Sequence, residues 1–309
     1  VGPALQPSSL GTAQGQILHR VLDEQTGLPW VNRGHDSAAD WAQYPDDPLY
    51  GRRVRYPGWE EALFWPLTAT EQASLTLAVA PEASYDLLYQ TITRATRRID
   101  VSSYTLEHAR LAEALAHKAT QGVSVTVLLE GEPAGGLQDQ ERWACQQIEA
   151  AGGACWFMHN DGEAHVYDRY NHLHAKYLLI DDQWLLIGTE NLNPTGLPDD
   201  DKHDGTAGRR GLYLMTDAPT VVARAATVFA SDLDPTHHQD LFRWQDAPYV
   251  SGSEVPTDTF GRPPLGFTPV YTSGGITYTA PFSAPLALSG HFTFELFTAP
   301  EAALRQRDA

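Results

Sequence analysis

The stretch HAKYLLIDDQWLLIGTEN, residues 174–191, concentrates side chains that can act on a phosphate ester. The imidazole of His174 can serve as a nucleophile or as an acid and base. Lys176 supplies positive charge, and Asn191 and Thr189 supply hydrogen bonds, to phosphate oxygens that gain charge in the transition state. We therefore predict a phosphodiester site with His174, Lys176 and Asn191 as its catalytic residues.

A β-hairpin is the element that must position these groups. Residues two apart in a strand point to the same side, so His172, His174 and Lys176 share one face. Residues 181–183 are predicted to form the turn. The return strand, 184–188, then carries the Gly-Thr-Glu-Asn segment back beside the histidine.

The other polar residues of this hairpin are assigned supporting roles. Asp181 is too far along the strand to reach the same phosphate, so we expect it to form an ion pair or a turn hydrogen bond. Gly188 ends the strand where backbone could approach a ligand closely. Glu190 either orients a histidine or is an exposed turn residue. His172 is expected to be a pocket residue and not a metal ligand, because no Cys, Asp or Glu at ligand spacing completes a zinc site.

Strand and helix patterns alternate on both sides of the hairpin, which predicts an α/β fold with a mixed β-sheet covered by helices on both faces. Tyr104 falls at the C-terminal end of one predicted strand, where α/β proteins collect ligand sites, so it either lines the pocket or fills the core. Strands are predicted at 74–80, 99–105, 123–131, 154–159 and 211–217, and helices at 81–98, 106–122, 137–153 and 218–234.

Composition divides the chain into four regions. Residues 1–70 are irregular and rich in Gly, Pro, Asp and Trp, and are expected to pack on the core. Residues 71–240 form the α/β domain. Residues 241–290 resemble a Pro/Gly/Ser-rich linker. Residues 291–309 are predicted to start a second, truncated repeat of the domain.

The prediction of a second repeat depends on one internal alignment. PLTATEQASLTLAVAPEA, residues 66–83, aligns without a gap with PLALSGHFTFELFTAPEA, residues 285–302. Both segments have a Pro-Leu start, a strand pattern and an Ala-Pro-Glu-Ala end that leads into a predicted helix. Because the first segment opens the α/β domain, we expect the second to open another one.

Charge and cysteine content limit the partners and the compartment. The chain carries 39 acidic and 21 basic residues, a net charge of −18, which disfavours nucleic acid at long range. Cys145 and Cys155 are either two reduced core cysteines or a disulfide between a helix and the next strand, and a disulfide would favour export. The chain begins Val-Gly-Pro, which we interpret as a processed or recombinant start. An extracellular or bacterial periplasmic location is expected, with the cytoplasm as the alternative.

The spacing His-x-Lys-x4-Asp-x6-Gly-Thr-x-Asn resembles the HKD signature of the phospholipase D superfamily, with Thr189 in place of the commoner serine. Residues 92–131 also resemble the first strand–helix–strand unit of that family. The resemblance implies a metal-independent, cofactor-free phosphodiester exchange in which His174 is the nucleophile. Lys176 and Asn191 would bind phosphate, and Thr189 and Asp181 would support them.

The resemblance also implies a second histidine, from a second HKD motif, that protonates the leaving alcohol. It would come from a second half of the same protein or from an identical partner in a homodimer. The expected substrate is a phosphodiester, with phospholipid hydrolysis or headgroup transfer favoured over a nuclease activity on DNA or RNA. An isolated half-site that is inactive alone is the third alternative.

Overall fold

The structure is a computed structural model, and most of the predicted α/β domain lies within the residues that it describes. Predictions for residues 1–65, 247–259 and 299–309 lie outside those residues. The described residues are 66–159, 172–236, 238, 240–246, 260–271, 276–296 and 298.

The described part of the chain alternates strands and helices through its first half and then forms an antiparallel hairpin. The strands are β1 Leu67–Ala80, β2 Arg98–Ser103, β3 Ser124–Glu130, β4 Ala154–Met158, β5 Lys176–Ile180, β6 Trp184–Gly188, β7 Gly211–Thr216, β8 Leu241–Arg243 and β9 Leu286–Leu296. The helices are α1 Ser84–Arg94, α2 Ala109–Thr120, α3 Asp139–Ala150 and α4 Pro219–Asp232.

All of these strands join one mixed sheet in the order β8-β4-β3-β2-β5-β6-β7-β1-β9. β2, β3 and β4 run parallel, and the remaining neighbours pair antiparallel. The hairpin β5–β6 lies at the centre of this sheet. Strand β5 is therefore buried on both faces, as its continuous apolar sequence Tyr-Leu-Leu-Ile predicts.

Helices cover both faces of the sheet, which confirms the predicted fold class. On one face α1, α2 and α3 bury residues such as Leu88, Leu115 and Ile148. On the other face α4 buries Val222 and Phe229. Each helix has one apolar stripe that faces the sheet, so the packing follows from its sequence. No helix among the described residues is long and apolar enough to cross a membrane.

The turn of the central hairpin requires unusual backbone angles. Asp181 and Asp182 have φ values of 57° and 56°, and the Gln183 N–H donates to the Ile180 carbonyl oxygen at 2.9 Å. Two central residues at positive φ are typical of a type I′ turn, whose twist matches that of the strands. Aspartate tolerates this conformation better than most residues do.

The sheet extends beyond the predicted limits of the α/β domain. β1 begins at Leu67 instead of residue 74, because its N-terminal part pairs with β9. β8, at the start of the predicted linker, pairs with β4, and β9, which begins near its end, pairs with β1, so both ends of the predicted linker belong to the sheet. The division of the chain into four regions stays a prediction.

The two cysteines do not form the disulfide that was one of the two alternatives. Cys145 on α3 and Cys155 on β4 are both free and 0% exposed. Burial, and then the neighbouring Cys155 thiol, raise the pKa of Cys145 well above its usual range. The two thiols pack as small apolar groups between the helix and the sheet.

Candidate active site at the open end of the hairpin

Three of the predicted site residues meet at the end of the hairpin where β5 begins. The Lys176 ammonium is buried and donates to the His174 carbonyl oxygen at 3.0 Å. The ring centroids of Tyr104 and His174 are 4.9 Å apart, and the Lys176 nitrogen lies 5.4 Å from the centre of the Tyr104 ring. Tyr104 follows β2, whose Ser103 pairs with Lys176. Tyr104 was predicted either to line the site or to fill the core. The structure places its ring against His174 and Lys176.

The electrostatics of this group suit a nucleophile beside a phosphate ligand. Burial lowers the pKa of His174, and the charges of Lys176 and His172 lower it further. Its imidazole is therefore neutral at pH 7, with a lone pair available. Burial also lowers the pKa of Lys176, to about 8, and the charge of Glu190 partly opposes this. The ammonium accordingly remains largely protonated at pH 7.

Thr189 and Asn191 follow β6 and leave the sheet at the end where Lys176 enters it. The Thr189 hydroxyl accepts a hydrogen bond from the Leu212 N–H at 3.0 Å, and its N–H donates to the Leu212 carbonyl oxygen at the same distance. Thr189 therefore fixes this segment to β7. The side-chain oxygen of Asn191 is buried and has no hydrogen-bond partner among the described residues, as expected of a group that waits for a ligand.

Glu190 lies in a space that two glycines leave open. A Cβ added to Gly211 would lie 2.5 Å from Cγ and from Oε1 of Glu190, and one added to Gly196 would lie 3.0 Å from Oε2. The Glu190 side chain is only 13% exposed and lies 3.5 Å from the Arg209 guanidinium. It is thus a half-buried anion and not an exposed turn residue, and its charge acts on Lys176.

Asp181 lies at the opposite end of the hairpin and binds backbone. Its carboxylate accepts hydrogen bonds from the N–H and hydroxyl of Thr96, both at 2.8 Å, and from the N–H groups of Arg97 at 2.7 Å and Arg98 at 2.9 Å. Burial opposes ionisation of Asp181, but these hydrogen bonds outweigh it and lower the pKa. Asp181 therefore ties the hairpin turn to the loop before β2, far from His174.

The position of Gly188 leaves room for a neighbouring side chain. A Cβ at this position would lie 2.2 Å from the Tyr213 ring, so the glycine makes room for a tyrosine of β7. Its close approach to a ligand stays a prediction. Tyr213 is fully buried and donates its hydroxyl hydrogen bond to the Glu190 carbonyl oxygen at 2.6 Å. The contact holds the Thr189–Asn191 segment against the sheet.

His172 is exposed and contacts the edge of the Tyr104 ring at a centroid distance of 6.3 Å. It therefore lies against the same tyrosine as His174. Among the described residues, no three His, Cys, Asp or Glu side chains cluster closely enough to hold a metal ion.

Sequence reasoning missed Glu130, at the end of β3. Its buried carboxylate accepts hydrogen bonds from the Leu173 N–H at 2.5 Å and the Glu132 N–H at 2.9 Å, so it holds the backbone between His172 and His174. Burial raises its pKa, although both hydrogen bonds oppose this. A carboxylate that ends an apolar buried strand, as in VLLEG, is the signal that could have found it.

Comparisons with known proteins agree with the geometry of the hairpin. A family model described as "Cardiolipin synthase, PLD-like domain" matches residues 88–233. Two curated relatives, both named cardiolipin synthase B, from Salmonella typhi and Salmonella typhimurium, are 29% identical over 201 residues, or 63% of this chain. The chain spans only 42% of the length of these relatives.

Several solved structures are similar to part of the chain. The phospholipase D family member Nuc from Salmonella typhimurium is 12% identical, with a TM-score of 0.44 over 56% of this chain and 99% of Nuc. NucT from Helicobacter pylori is 16% identical, with a TM-score of 0.43 over 55% of this chain and 98% of NucT. Phosphatidylserine synthase from Haemophilus influenzae is 13% identical, with a TM-score of 0.39 over 55% of this chain and 40% of that protein.

The family model covers α1 to α4 almost completely, and the match includes the hairpin with its His-x-Lys, Asp and Gly-Thr-x-Asn residues. The start of the same hairpin places His174 and Lys176 against the Tyr104 ring. Residues 88–233 match the PLD-like domain family, and this match supports membership of the chain in the phospholipase D superfamily.

Proposed function

We propose that the chain supplies one half of the catalytic site of a metal-independent phosphodiesterase that acts on phospholipids through a phosphohistidine. The observation that carries the proposal is geometric: the His174 ring lies 4.9 Å from the Tyr104 ring, and the Lys176 ammonium lies 5.4 Å from the centre of the same ring. Burial lowers the pKa of His174, which favours its neutral form. A nucleophile must be unprotonated while the group that binds the phosphate oxygens must be charged. At this end of the hairpin, His174 can be the unprotonated nucleophile and the neighbouring Lys176 can be the charged group that binds the phosphate oxygens.

In the first step a ring nitrogen of His174 attacks phosphorus, and the bond between phosphorus and the leaving alcohol breaks. The leaving oxygen takes a proton from the histidine of a second motif. In the second step that histidine removes a proton from water or from another alcohol, whose oxygen displaces His174. Lys176 and Asn191 bind the phosphate oxygens in both steps.

Charge and relatedness support a lipid over a nucleic acid. The net charge of −18 repels polyanions, whereas a phospholipid presents one phosphodiester at a time. The curated relatives are both named cardiolipin synthase B, which favours transfer of a phosphatidyl group to an alcohol over hydrolysis alone. The second motif is proposed to come from a following half of the same protein, in preference to a homodimer.

The test is an assay of the longer gene product on vesicles of phosphatidylglycerol and phosphatidylcholine, with plasmid DNA in parallel. We expect lipid turnover and little DNA cleavage. His174→Ala should reduce lipid turnover at least about 1,000-fold, because the covalent route is lost. His117→Ala, which removes an exposed histidine of α2 far from the hairpin, is the matched control and should leave turnover unchanged.

Two results would refute the proposal. Faster cleavage of DNA than of lipid would make the chain a nuclease. Full lipid turnover in His174→Ala would remove His174 from the chemistry. Activity of the 309-residue chain alone would instead show that two copies can complete the site, which separates a homodimer from a two-half protein.

A further inference from the structure

Hydrogen bonds fix the backbone on both sides of Tyr104. The residue before it, Ser103, ends β2, and its buried hydroxyl donates to the Thr105 carbonyl oxygen at 2.8 Å. Two residues after Tyr104, the Leu106 N–H donates to the buried carboxylate of Glu141 at 2.9 Å. The segment that carries Tyr104 therefore has a single, well-defined course at the edge of the sheet.

The far end of the Tyr104 side chain is bound as well. Its hydroxyl oxygen accepts a hydrogen bond from the Ala134 N–H at 2.5 Å. Ala134 lies in a turn after β3 that the Gly136 N–H closes by donating to the Pro133 carbonyl oxygen at 2.7 Å. Gly135, the third residue of this turn, has a φ of 93°, a conformation that favours glycine. With backbone and hydroxyl both bound, the tyrosine ring is a rigid surface.

The proposed nucleophile and the proposed phosphate ligand both lie against this ring. The Lys176 nitrogen is 5.4 Å from the ring centre. The ring centroids of His174 and Tyr104 are 4.9 Å apart, and their planes are inclined at 58°. The face of an aromatic ring carries partial negative charge, so it attracts an ammonium at this distance. One rigid ring therefore contacts both groups that must act on the same phosphate.

This attraction matters because Lys176 is buried with few other partners. Its ammonium donates to the His174 carbonyl oxygen at 3.0 Å. Glu190, whose charge favours the protonated lysine, forms its ion pair with Arg209. An ammonium has three N–H donors, and burying them unpaired is costly. The Tyr104 ring offsets part of that cost and leaves N–H groups of Lys176 available for phosphate oxygens.

Groups of both signs surround the Lys176 ammonium within the described part of the chain. They are His172 and His174 before β5, Tyr104 after β2, and Glu190 after β6 with its partner Arg209 before β7. Glu190 and the face of the Tyr104 ring favour the charged form of Lys176, whereas a protonated histidine would oppose it.

We propose that Tyr104 is a positioning residue whose ring binds the Lys176 ammonium and holds it beside His174, where it can bind the substrate phosphate. This inference rests on the proposed function in taking Lys176 as the phosphate-binding charge. Tyr104 does not touch the reacting atoms and acts through Lys176. Its loss should lower kcat more than it raises KM, because a misplaced or neutral lysine fails to stabilise charge in the transition state.

The first test measures the pKa of Lys176 by NMR of the 309-residue chain labelled with ¹³C at the lysine Cε. The chain contains three lysines, Lys118, Lys176 and Lys202, and Lys176→Arg identifies the Lys176 signal by removing it. Tyr104→Leu and Tyr104→Met keep an apolar side chain but remove the ring, so the pKa of Lys176 should fall by roughly half a pH unit or more. Tyr104→Phe keeps the ring and should leave this pKa nearly unchanged.

The matched control is Tyr89→Leu, at a tyrosine of α1 that is 39% exposed. It should move none of the three lysine signals. The signals of Lys118 and Lys202 should also keep their positions in the Tyr104 variants, which shows that these variants are folded. A Lys176 pKa that is unchanged or higher in both Tyr104→Leu and Tyr104→Met would overturn the proposal. An equal fall in Tyr104→Phe would overturn it as well, because the ring would then not be the cause.

The second test measures lipid turnover by the longer gene product. Tyr104→Leu should lower kcat about 10-fold at pH 7, with a smaller change in KM, and Tyr104→Phe should stay within about 3-fold of wild type. A kcat of Tyr104→Leu equal to that of wild type would contradict the positioning role. The titration needs no substrate, so an inactive protein with the expected Lys176 titration would refute only the proposed function.

Discussion

The two ends of the β5–β6 hairpin differ in how many hydrogen bonds their polar side chains make. At the turn, the carboxylate of Asp181 accepts four hydrogen bonds. At the open end, the Lys176 ammonium is buried with one backbone hydrogen bond to His174, and the Asn191 oxygen has none among the described residues. A satisfied charge stabilises the fold, whereas an unsatisfied one is a cost that a ligand can offset. The same motif therefore contains a structural end and a chemical end.

The largest expected effect comes from removing the charge at the open end. Lys176→Met should reduce kcat/KM for lipid at least about 100-fold, because the phosphate oxygens lose a positive charge in the transition state. Its Tm should stay equal to that of wild type or rise, since a buried charge is removed. Steady-state kinetics and a thermal melt of the same preparation measure both quantities.

Lys118 provides the matched control for this substitution. It is also a buried lysine, and its ammonium on α2 donates to the Thr93 carbonyl oxygen of α1 at 3.0 Å. Lys118→Met should leave kcat/KM of the folded protein unchanged. If both variants lost activity equally, the contrast between the two ends of the hairpin would not hold.

The second effect, at the turn, is on stability. Asp181→Ala should lower the free energy of unfolding by about 3 kcal/mol, because the partly buried hydrogen bonds from the N–H groups of Thr96, Arg97 and Arg98 lose their charged acceptor. The Asp181 pKa is lowered in the folded state, so its contribution is present above the unfolded value of 3.8 and is lost as pH falls through the folded pKa. The free energies of unfolding of Asp181→Ala and wild type, measured with urea, should therefore become equal at acid pH.

Asp182→Ala separates this effect from the backbone conformation. Asp182 has nearly the same positive φ as Asp181, 56° against 57°, but its side chain is 54% exposed and its Arg97 partner lies at 3.5 Å. Asp182→Ala should lower the free energy of unfolding by the cost of placing alanine at positive φ, which both variants share, and by well under about 1 kcal/mol more. Equal losses for the two aspartates would mean that the turn, and not the hydrogen bonds, carries the stability.

The smallest effect is a change in pH dependence. Lipid turnover should fall as pH rises through about 8, because Lys176 loses its proton there. Glu190→Gln should move this alkaline fall in turnover to lower pH, because the negative charge that favours the protonated form of Lys176 is removed. Lys176→Arg, whose guanidinium stays protonated, should retain some activity without a limb near pH 8. A profile of kcat/KM that is unchanged in Glu190→Gln would contradict the assigned role of that carboxylate.

Much of the fold and the centre of the site could be predicted because they depend on local patterns. Strand periodicity and a polar residue spacing were enough for the central hairpin with His174 and Lys176. Glu130 was missed because its contact with Leu173 joins residues 43 positions apart. The pairing of β1 with β9 was missed for a similar reason, since it joins two strands that lie more than 200 residues apart in the sequence. The role of Gly188 depended on Tyr213, which no local pattern reveals.

The two buried thiols give the molecule a built-in reporter of its own opening. Cys145 and Cys155 are 0% exposed, one on α3 and one on β4, so an alkylating reagent can reach them only when that helix separates from the sheet. Alkylation requires the thiolate, and burial raises the pKa of Cys145. The rate of thiol labelling in the native chain would therefore measure how often the α/β layers part, with no probe added to the active site.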